Sequence, residues 1–323
     1  MSDNAIETIG LTKKFGDFTA VDHLNLTVKP GELFGLLGPN GAGKTTIVRM
    51  LCTLIRPTEG TAIVGGYDLT KNPAQVRRQI GVVSEGVMLY KDLTVEENLK
   101  LLSRLYGLQE NETNSRTKEL LEMFDFREKT KRQVGALSSG WTKKALICAA
   151  LLHNPKILFL DEVTSGLDPQ SAISLRELTK ALCRQGVTVI WTTHHMQEPE
   201  KICNRVGVVF SGRLIQVGTP LDLKRSASEL SVVEVDAPNL SIELIEAIRG
   251  LSEVCNVKYD NPMLQVTCSK DFELAEKVTR ILVSAGAKIR AINTQEPSLE
   301  EAFISLTGGE EEIDRFLEST TSK

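Results

Sequence analysis

Short alternations of apolar and polar residues open the chain and predict antiparallel strands. They occupy residues 6–11 and 21–28, with turns at residues 16–17 and 30–31. A continuous apolar run follows at residues 33–37. Runs of this kind are typical of strands that are buried on both faces of a sheet. The first residues therefore predict a small antiparallel sheet that leads into a buried strand.

Strands and helices alternate along most of the chain between residues 46 and 191, which predicts a mainly parallel sheet covered by helices. The predicted elements are helices at 46–55, 73–79 and 170–184 and strands at 61–64, 80–83, 156–160 and 187–191. Residues 94–153 are predicted to be all helical, beginning with the capping box Thr94-x-x-Glu97. We expect an α/β fold with an inserted helical subdomain at about residues 86–155.

The character of the sequence changes near Leu223. The segments beyond it predict the order strand, helix, strand, strand, helix, strand, which is typical of a small ferredoxin-like α+β domain. Three consecutive glutamates close to the end of the chain predict a loose acidic tail. We expect a main domain at 1–222, an accessory domain at 223–308 and a flexible tail at 309–323.

Composition excludes several classes of protein. The 323 residues carry a net charge of −4, which argues against non-specific binding of nucleic acid because such binding needs a basic surface. The six cysteines include no C-x-x-C pair, so we expect reduced thiols in a cytosolic protein. The longest apolar run, 145–152, is far shorter than the roughly 18 residues of a membrane span. The polar N-terminus also lacks the apolar core of a signal peptide, so we expect any action at a membrane to require a partner.

The strongest functional motif lies between the strand at 33–37 and the helix at 46–55. It matches the phosphate-binding pattern G-x-x-x-x-G-K-[ST]. Its glycines let backbone N–H groups point at a triphosphate, and the following helix adds partial positive charge. Lys44 would contact the β- and γ-phosphates, and Thr45 would offer a hydroxyl to Mg²⁺. The predicted nucleotide-binding loop is Gly38-Pro39-Asn40-Gly41-Ala42-Gly43-Lys44-Thr45-Thr46.

Two further patterns accompany this phosphate loop. The apolar run at 157–160 ends in Asp161, which could hold Mg²⁺, and Glu162, which could orient or deprotonate the attacking water. Taken alone, the two acids are equally typical of a strand that ends in solvated carboxylates. Leu137-Ser138-Ser139-Gly140 begins a helix whose N–H groups could bind a γ-phosphate, although alone it is only an N-cap.

Together these motifs resemble the nucleotide-binding subunit of an ATP-binding-cassette (ABC) transporter, over about residues 5–222. Ser165-Gly166-Leu167-Asp168 looks like the D-loop of that family. Thr193-His194 looks like its switch histidine, with His195 as the alternative.

The resemblance implies a composite site, in which the phosphate loop of one subunit and the signature segment of another, which includes residues 138–140, enclose one ATP. Hydrolysis therefore requires a dimer. Phe15 takes the position of the aromatic residue that stacks on adenine, with Phe18 as the alternative. The implied roles are catalytic for Lys44, Glu162 and His194, metal-binding for Thr45, Asp161 and Glu85, and nucleotide-binding for Phe15, Ser138, Ser139, Gly140, Asp168 and the phosphate loop.

The sequence departs from the family pattern at several positions. Glu85 stands where the family usually has glutamine, and its carboxylate adds negative charge near a triphosphate. Ser139 and Trp141 replace the usual glycine and glutamine of the signature segment, and Val163 replaces a proline. Because the lysine, the Mg²⁺ ligands, the catalytic acid and the histidine are intact, we expect an active ATPase.

Residues 90–99, 218–220 and 297–303 narrow the resemblance to the drug-, sodium- or polymer-export group that includes daunorubicin-resistance ATPases. That group implies a peripheral subunit on the cytoplasmic side of the membrane, paired with a membrane permease and with an identical or a second ATPase subunit. Residues 87–90 would form part of the groove that receives a helix of the permease, with an ordinary core cluster as the alternative. Two alternatives are a soluble ABC protein that acts on DNA or ribosomes, and a module in which nucleotide only switches conformation.

Overall fold

The computed structural model describes residues 3–84, 88–227, 230–252, 254–269, 274–295 and 298–308. These residues form two compact units that divide between Pro220 and Leu221.

The first unit contains eleven strands and seven helices among its described residues. The strands are β1 (Ile6–Phe15), β2 (Phe18–Leu24), β3 (Thr27–Val28), β4 (Leu33–Leu37), β5 (Glu59–Val64), β6 (Tyr67–Asp68), β7 (Ile80–Val83), β8 (Ile157–Asp161), β9 (Thr188–Thr193), β10 (Arg205–Phe210) and β11 (Arg213–Gly218). The helices are α1 (Lys44–Leu51), α2 (Pro73–Gln79), α3 (Val95–Leu105), α4 (Glu110–Met123), α5 (Ser139–Leu151), α6 (Pro169–Arg184) and α7 (Gln197–Ile202).

A six-stranded sheet in the order β11-β10-β4-β9-β8-β7 carries the predicted site. All its pairs are parallel except β10 with the edge strand β11, which confirms the predicted mainly parallel sheet. Its central strands β4, β8 and β9 are buried along their whole length. Leu37 pairs with Thr193, and Thr192 pairs with Asp161. The carboxyl ends of three neighbouring strands therefore meet at one edge of the sheet.

A second, antiparallel sheet in the order β2-β1-β5-β6, with β3 also paired to β1, lies in the same unit. Helix α1 contributes Ile47 and Met50 to an apolar core that also contains Ile6 of this sheet and Phe159 of the parallel sheet. This packing fixes α1 and the loop in front of it against both sheets. The helix begins at Lys44 and ends at Leu51, earlier than its predicted span of 46–55.

The inserted segment consists of α3, α4, two short 3₁₀ turns at 127–129 and 134–136, and α5. The capping box forms as predicted: Glu97 N–H donates to Thr94 Oγ1, and Thr94 N–H donates to the Glu97 carboxylate.

None of the helices in the described parts of the chain has both the length and the apolar character that a membrane span requires.

Helix α8 (Pro220–Ala227) lies at the division between the units. The second unit then contains β12 (Leu230–Asp236), α9 (Ile242–Arg249), β13 (Val254–Asp260), β14 (Met263–Ser269), α10 (Leu274–Ser284), β15 (Ala291–Gln295) and α11 (Leu299–Leu306). Its sheet has the order β13-β14-β12-β15, and residues from α9 and α10 join the sheet in one apolar core. Helix α11, which the sequence pattern did not predict, begins with a capping box between Ser298 and Glu301.

Candidate functional site

The phosphate loop runs from the end of β4 to the start of α1, and its packing requires glycine at two positions. A Cβ atom on Gly38 would lie 2.2 Å from the carbonyl oxygen of Val209. Gly43 has φ of 107°, and a Cβ there would lie 2.6 Å from the carbonyl oxygen of Ala20. Such a backbone is costly for a residue with a side chain. The two glycines therefore set the course of the loop.

The remaining loop residues differ in exposure. Ala42 is buried, and its N–H donates to the Pro39 carbonyl at 3.3 Å. Gly41 has φ of 80°, and Asn40 is exposed at the tip of the loop. Thr46 lies in the first turn of α1 and is partly buried.

Lys44 is the first residue of α1 and is only 5% exposed. Its ammonium donates to the carbonyl oxygens of Gly38 at 2.7 Å and Pro39 at 3.0 Å. Burial lowers the pKa of Lys44, and the nearby Glu162 carboxylate partly opposes that shift. The side chain is thus a buried cation that is held by the carbonyls of the predicted phosphate-binding loop.

Glu162 lies between Lys44 and His194. Glu162 Oε1 is 3.5 Å from Lys44 Nζ, and Oε2 accepts a hydrogen bond from His194 Nδ1 at 2.8 Å. Oε1 is buried, and among the described residues it has no hydrogen-bond partner. The structure therefore brings the three predicted catalytic side chains together. The His195 ring lies beside that of His194, with ring centroids 4.1 Å apart and planes tilted by 40°.

The backbone of Glu162 is in the left-handed region, with φ of 51°. A residue with a side chain is rarely held there without support from its surroundings. The support includes Thr192, whose hydroxyl accepts from the Glu162 N–H at 3.1 Å.

The predicted Mg²⁺ ligands Thr45 and Asp161 are also neighbours. Their Oγ1 and Oδ1 atoms are 3.4 Å apart, and Asp161 is only 4% exposed. Thr192 Oγ1 donates to the same carboxylate oxygen at 2.5 Å, which fixes its orientation. A hydroxyl and one carboxylate beside a phosphate-binding loop are the donors that Mg²⁺ takes together with substrate phosphates. The third predicted ligand, Glu85, lies outside the described residues.

Phe15 and Phe18 pair across the hairpin of β1 and β2. Both rings are solvent-exposed, at 51% and 48%. Lys13 Nζ lies 4.9 Å from the centroid of Phe15. An exposed aromatic ring can stack on the base of a nucleotide, and a cation beside the ring is attracted to the negative phosphates of that nucleotide. Both residues can offer a stacking face.

The signature residues Ser138 and Ser139 form the N-cap and first residue of α5. Gly140 is fixed by packing, because a Cβ there would lie 2.5 Å from Ser171 Oγ of α6. Asp168 caps α6 by accepting from the Ser171 N–H at 2.9 Å, and this bonding lowers the pKa of its carboxyl. These residues lie at the starts of two adjoining helices, α5 and α6.

Trp141 is held by its own subdomain. Its ring packs edge-on against Phe126 with centroids 5.1 Å apart. Lys129 Nζ and Lys144 Nζ lie over it at 4.2 Å and 4.6 Å. The indole that replaces glutamine is therefore a fixed part of the helical subdomain.

Two polar residues at the end of β9 were given no role of their own in the predicted site. Thr192 joins Asp161 to the backbone of Glu162, and Thr193 Oγ1 donates to Glu198 at 2.9 Å. The sequence did contain a signal for these two residues. They are threonines at the carboxyl end of a buried apolar strand, next to the strand that ends in two acids.

Comparison with known proteins gives matches along most of the chain. A family model described as ABC transporter matches residues 21–165. The chain is 35% identical over 306 residues to the linearmycin resistance ATP-binding protein LnrL of Bacillus subtilis (strain 168), which covers 94% of this chain and 98% of that protein.

Two further matches agree. The daunorubicin/doxorubicin resistance ATP-binding protein DrrA of Streptomyces peucetius is 36% identical over 309 residues, covering 94% of this chain and 92% of that protein. A solved structure of the ATP binding subunit of an ABC transporter superimposes with a TM-score of 0.62 at 30% identity, covering 69% of this chain and 92% of that one.

Proposed function

Because the chain belongs to the ABC transporter family as an ATP-hydrolysing subunit of an exporter, we propose that two subunits jointly enclose each ATP. The phosphate loop of one subunit would face residues 138–140 of the other. The observation that carries the proposed hydrolytic role is the contact of Lys44, Glu162 and His194, with Glu162 Oε1 buried, 3.5 Å from Lys44 Nζ and making no hydrogen bond to the described residues. Once the Lys44 ammonium contacts the phosphates, this buried carboxylate oxygen would be left to accept a hydrogen bond from an attacking water.

Each side chain has a distinct task in this proposal. The Lys44 ammonium would exchange its hydrogen bonds to the loop carbonyls for contacts with the phosphates. A buried cation interacts strongly with the negative charge of the phosphates. Glu162 orients or deprotonates the water, and His194 holds Glu162 and stabilises charge on the γ-phosphate. Bound Mg²⁺ would neutralise phosphate charge, held by Thr45 and Asp161.

Adenine is assigned to Phe15, because Lys13 lies over its ring and adds positive charge beside the nucleotide. Asp168 would act at the subunit interface as the last residue of the D-loop. Glu85 stays a predicted ligand of Mg²⁺.

The proposed membrane partner is a permease that docks on the loop before α3. Met88 and Tyr90 are 76% and 60% exposed, whereas Leu89 is buried, and Val87 lies outside the described residues. Buried Asn98 holds this loop: it accepts from the Tyr90 N–H at 2.8 Å and donates to the Tyr90 carbonyl at 2.9 Å. Two large exposed side chains on a fixed loop suit a helix from a partner.

If a permease docks here, the chain would lie on the cytoplasmic face of the membrane. The relatives named for linearmycin and daunorubicin resistance favour a drug as the transported substrate. The second unit would stabilise the dimer, which truncation after Leu223 and measurement of ATP-dependent dimerisation would test.

The adjacent histidines provide a matched test of the site. His194→Ala removes the imidazole that bonds Glu162, so we expect ATP turnover to fall about 100-fold or more. His195→Ala leaves that bond in place and is expected to cost at most a few-fold. Equal losses in both variants, measured as steady-state phosphate release, would contradict the assignment of His194.

Docking is tested separately in membranes that contain the co-expressed permease. Tyr90→Asp should abolish co-purification with the permease while the isolated subunit still hydrolyses ATP. Leu105→Asp is the control, because Leu105 is a 73% exposed apolar residue of the same subdomain at the end of α3. Loss of the complex in both variants, or in neither, would refute this docking surface.

A further inference from the structure

We propose that Glu198 is a positioning residue for ATP hydrolysis, which holds the switch histidine and the catalytic acid in register. Glu198 lies in α7 and is only 6% exposed. One of its carboxylate oxygens, Oε2, accepts hydrogen bonds from Thr164 Oγ1 and from Thr193 Oγ1, both at 2.9 Å. A single buried oxygen therefore joins the segment after β8 to the end of β9.

The other oxygen of Glu198 faces a cation. Arg176 Nη1 of α6 lies 3.4 Å from Glu198 Oε1, and the Arg176 side chain is 15% exposed. A buried carboxylate is costly unless its charge is paired and its oxygens accept hydrogen bonds. Both conditions are met here by groups from three separate segments, so displacement of any one segment leaves a buried charge without part of its support.

On the histidine side, the carboxylate fixes the backbone on both sides of His194. The Thr193 hydroxyl that donates to Glu198 also accepts from the His195 N–H at 3.0 Å. The Glu198 N–H in turn donates to the His195 carbonyl at 3.1 Å. These bonds close the turn that carries His194 and direct its imidazole toward Glu162.

On the acid side, the carboxylate holds the turn that follows Glu162. Thr164 is two residues beyond Glu162, and the Ser165 N–H donates to the Glu162 carbonyl at 3.2 Å. The Leu167 N–H donates to the Thr164 carbonyl at 3.1 Å, so the same turn continues toward Asp168. Because Glu162 has a left-handed backbone, it needs a fixed turn on this side.

Glu198 thus supports both members of the Glu162–His194 pair, whose side chains meet at 2.8 Å. Catalytic geometry is sensitive on this scale, because a misplacement of about 1 Å can cost about 100-fold in rate. ATP binding depends instead on the phosphate loop, which Glu198 does not contact through any of these bonds. The inference rests on the proposed roles of Glu162 and His194.

The test measures ATP turnover, ATP affinity and urea unfolding for Glu198→Ala, Thr164→Val and the double variant. We expect turnover at saturating ATP to fall about 100-fold for Glu198→Ala and about tenfold for Thr164→Val, with ATP affinity unchanged within about twofold. Because Thr164 acts through Glu198, the double variant should be no slower than Glu198→Ala alone.

Thr179→Val is the matched control. Thr179 is a fully buried threonine of α6 whose hydroxyl bonds the Leu175 carbonyl at 2.8 Å, so its loss removes a similar bond from the same unit. We expect turnover close to that of the parent. Should Glu198→Ala fail to fold, Glu198→Gln replaces it, since it keeps the size of the side chain and removes the charge that pairs with Arg176.

Two outcomes would overturn the inference. One is that Thr164→Val hydrolyses ATP as fast as Thr179→Val. The other is that the fold-loss of turnover in the double variant equals the product of the two single losses. A Glu162→Gln measurement in the same series separates this from failure of the proposed function. If Glu162→Gln is as active as the parent, the assigned roles are wrong. If Glu162→Gln is inactive while Thr164→Val and the Glu198 variants stay active, only the positioning role of Glu198 is wrong.

Discussion

Replacement of Gly38 by alanine tests the shape of the phosphate loop, because it leaves the functional side chains of the loop unchanged. The added Cβ atom would lie 2.2 Å from the Val209 carbonyl oxygen and 3.2 Å from Ala42 Cβ. Optimal non-bonded separations are about 3.5 Å, so the loop or strand β10 has to move by about 1 Å. Overpacking of this kind costs about 1–3 kcal/mol of unfolding free energy. A displaced loop also misaligns its N–H groups, and we expect ATP affinity to fall at least about tenfold.

Gly186→Ala is the control for this variant. Gly186 has φ of 94° with no heavy atom within 4 Å of an added Cβ, and it precedes the amino end of β9. Alanine there costs about 1–2 kcal/mol through its left-handed backbone but should leave ATP affinity unchanged. Urea unfolding and titration with a fluorescent ATP analogue measure the two effects. If Gly38→Ala binds ATP as tightly as Gly186→Ala, the steric argument is wrong.

Three further predictions concern the metal, the adenine base and a partly buried histidine. Asp161→Asn should raise the Mg²⁺ concentration for half-maximal turnover at least about tenfold; an unchanged Mg²⁺ dependence would contradict the assignment. Phe15→Ala should weaken nucleotide binding about 5- to 150-fold, because stacking on a base contributes about 1–3 kcal/mol, and a larger effect of Phe18→Ala would transfer the role to Phe18. Burial lowers the pKa of His153 from its ordinary value of 6.5, so the unfolded chain takes up that proton more readily than the folded one. The free energy of unfolding is therefore not reduced by His153 above about pH 6.5, and it declines as the pH falls from there toward the pKa of His153 in the folded chain. Urea unfolding of His153→Gln should show a smaller decline between about pH 8 and about pH 5 than the parent, and equal declines would refute this.

The parallel sheet and the phosphate loop could be predicted because local sequence determines them. Apolar runs long enough only for strands, each followed by a helix, define the order of elements. The loop needs glycine where Gly38 meets the Val209 carbonyl and where Gly43 has positive φ, so its requirements are visible as letters in the sequence. Asp161 and Glu162 were predicted only in combination with the phosphate loop, because by themselves two acids after an apolar strand are equally typical of solvated carboxylates.

The contacts between distant segments could not be predicted in the same way. Glu198 is 34 residues from Thr164 in sequence, and its burial follows only from the packing of α6, α7 and two strands. Strand β9 also extends two residues beyond its predicted end at 191, because Thr192 and Thr193 pair with Asp161 and Leu37. The apolar pattern that predicted this strand stops at Trp191, so that pattern did not extend the strand to the polar residues Thr192 and Thr193.

Trp141 shows a third kind of limit. The sequence identifies it only as a departure from the signature pattern. Its contacts with Phe126 and with the ammonium groups of Lys129 and Lys144 depend on how the turn after α4 lies against α5. Burial lowers the pKa of Lys144 beside this ring, which agrees with a closely packed arrangement.

The most direct test of the composite site is Glu162→Gln, followed by light scattering and phosphate release in the presence of ATP and Mg²⁺. Glutamine keeps the size of the side chain and can still accept from His194, but it cannot serve as a base or carry negative charge toward Lys44. We expect the parent to hydrolyse ATP and the variant to accumulate as an ATP-bound dimer without turnover. A variant that hydrolyses ATP like the parent, or that binds ATP and stays monomeric, would contradict it.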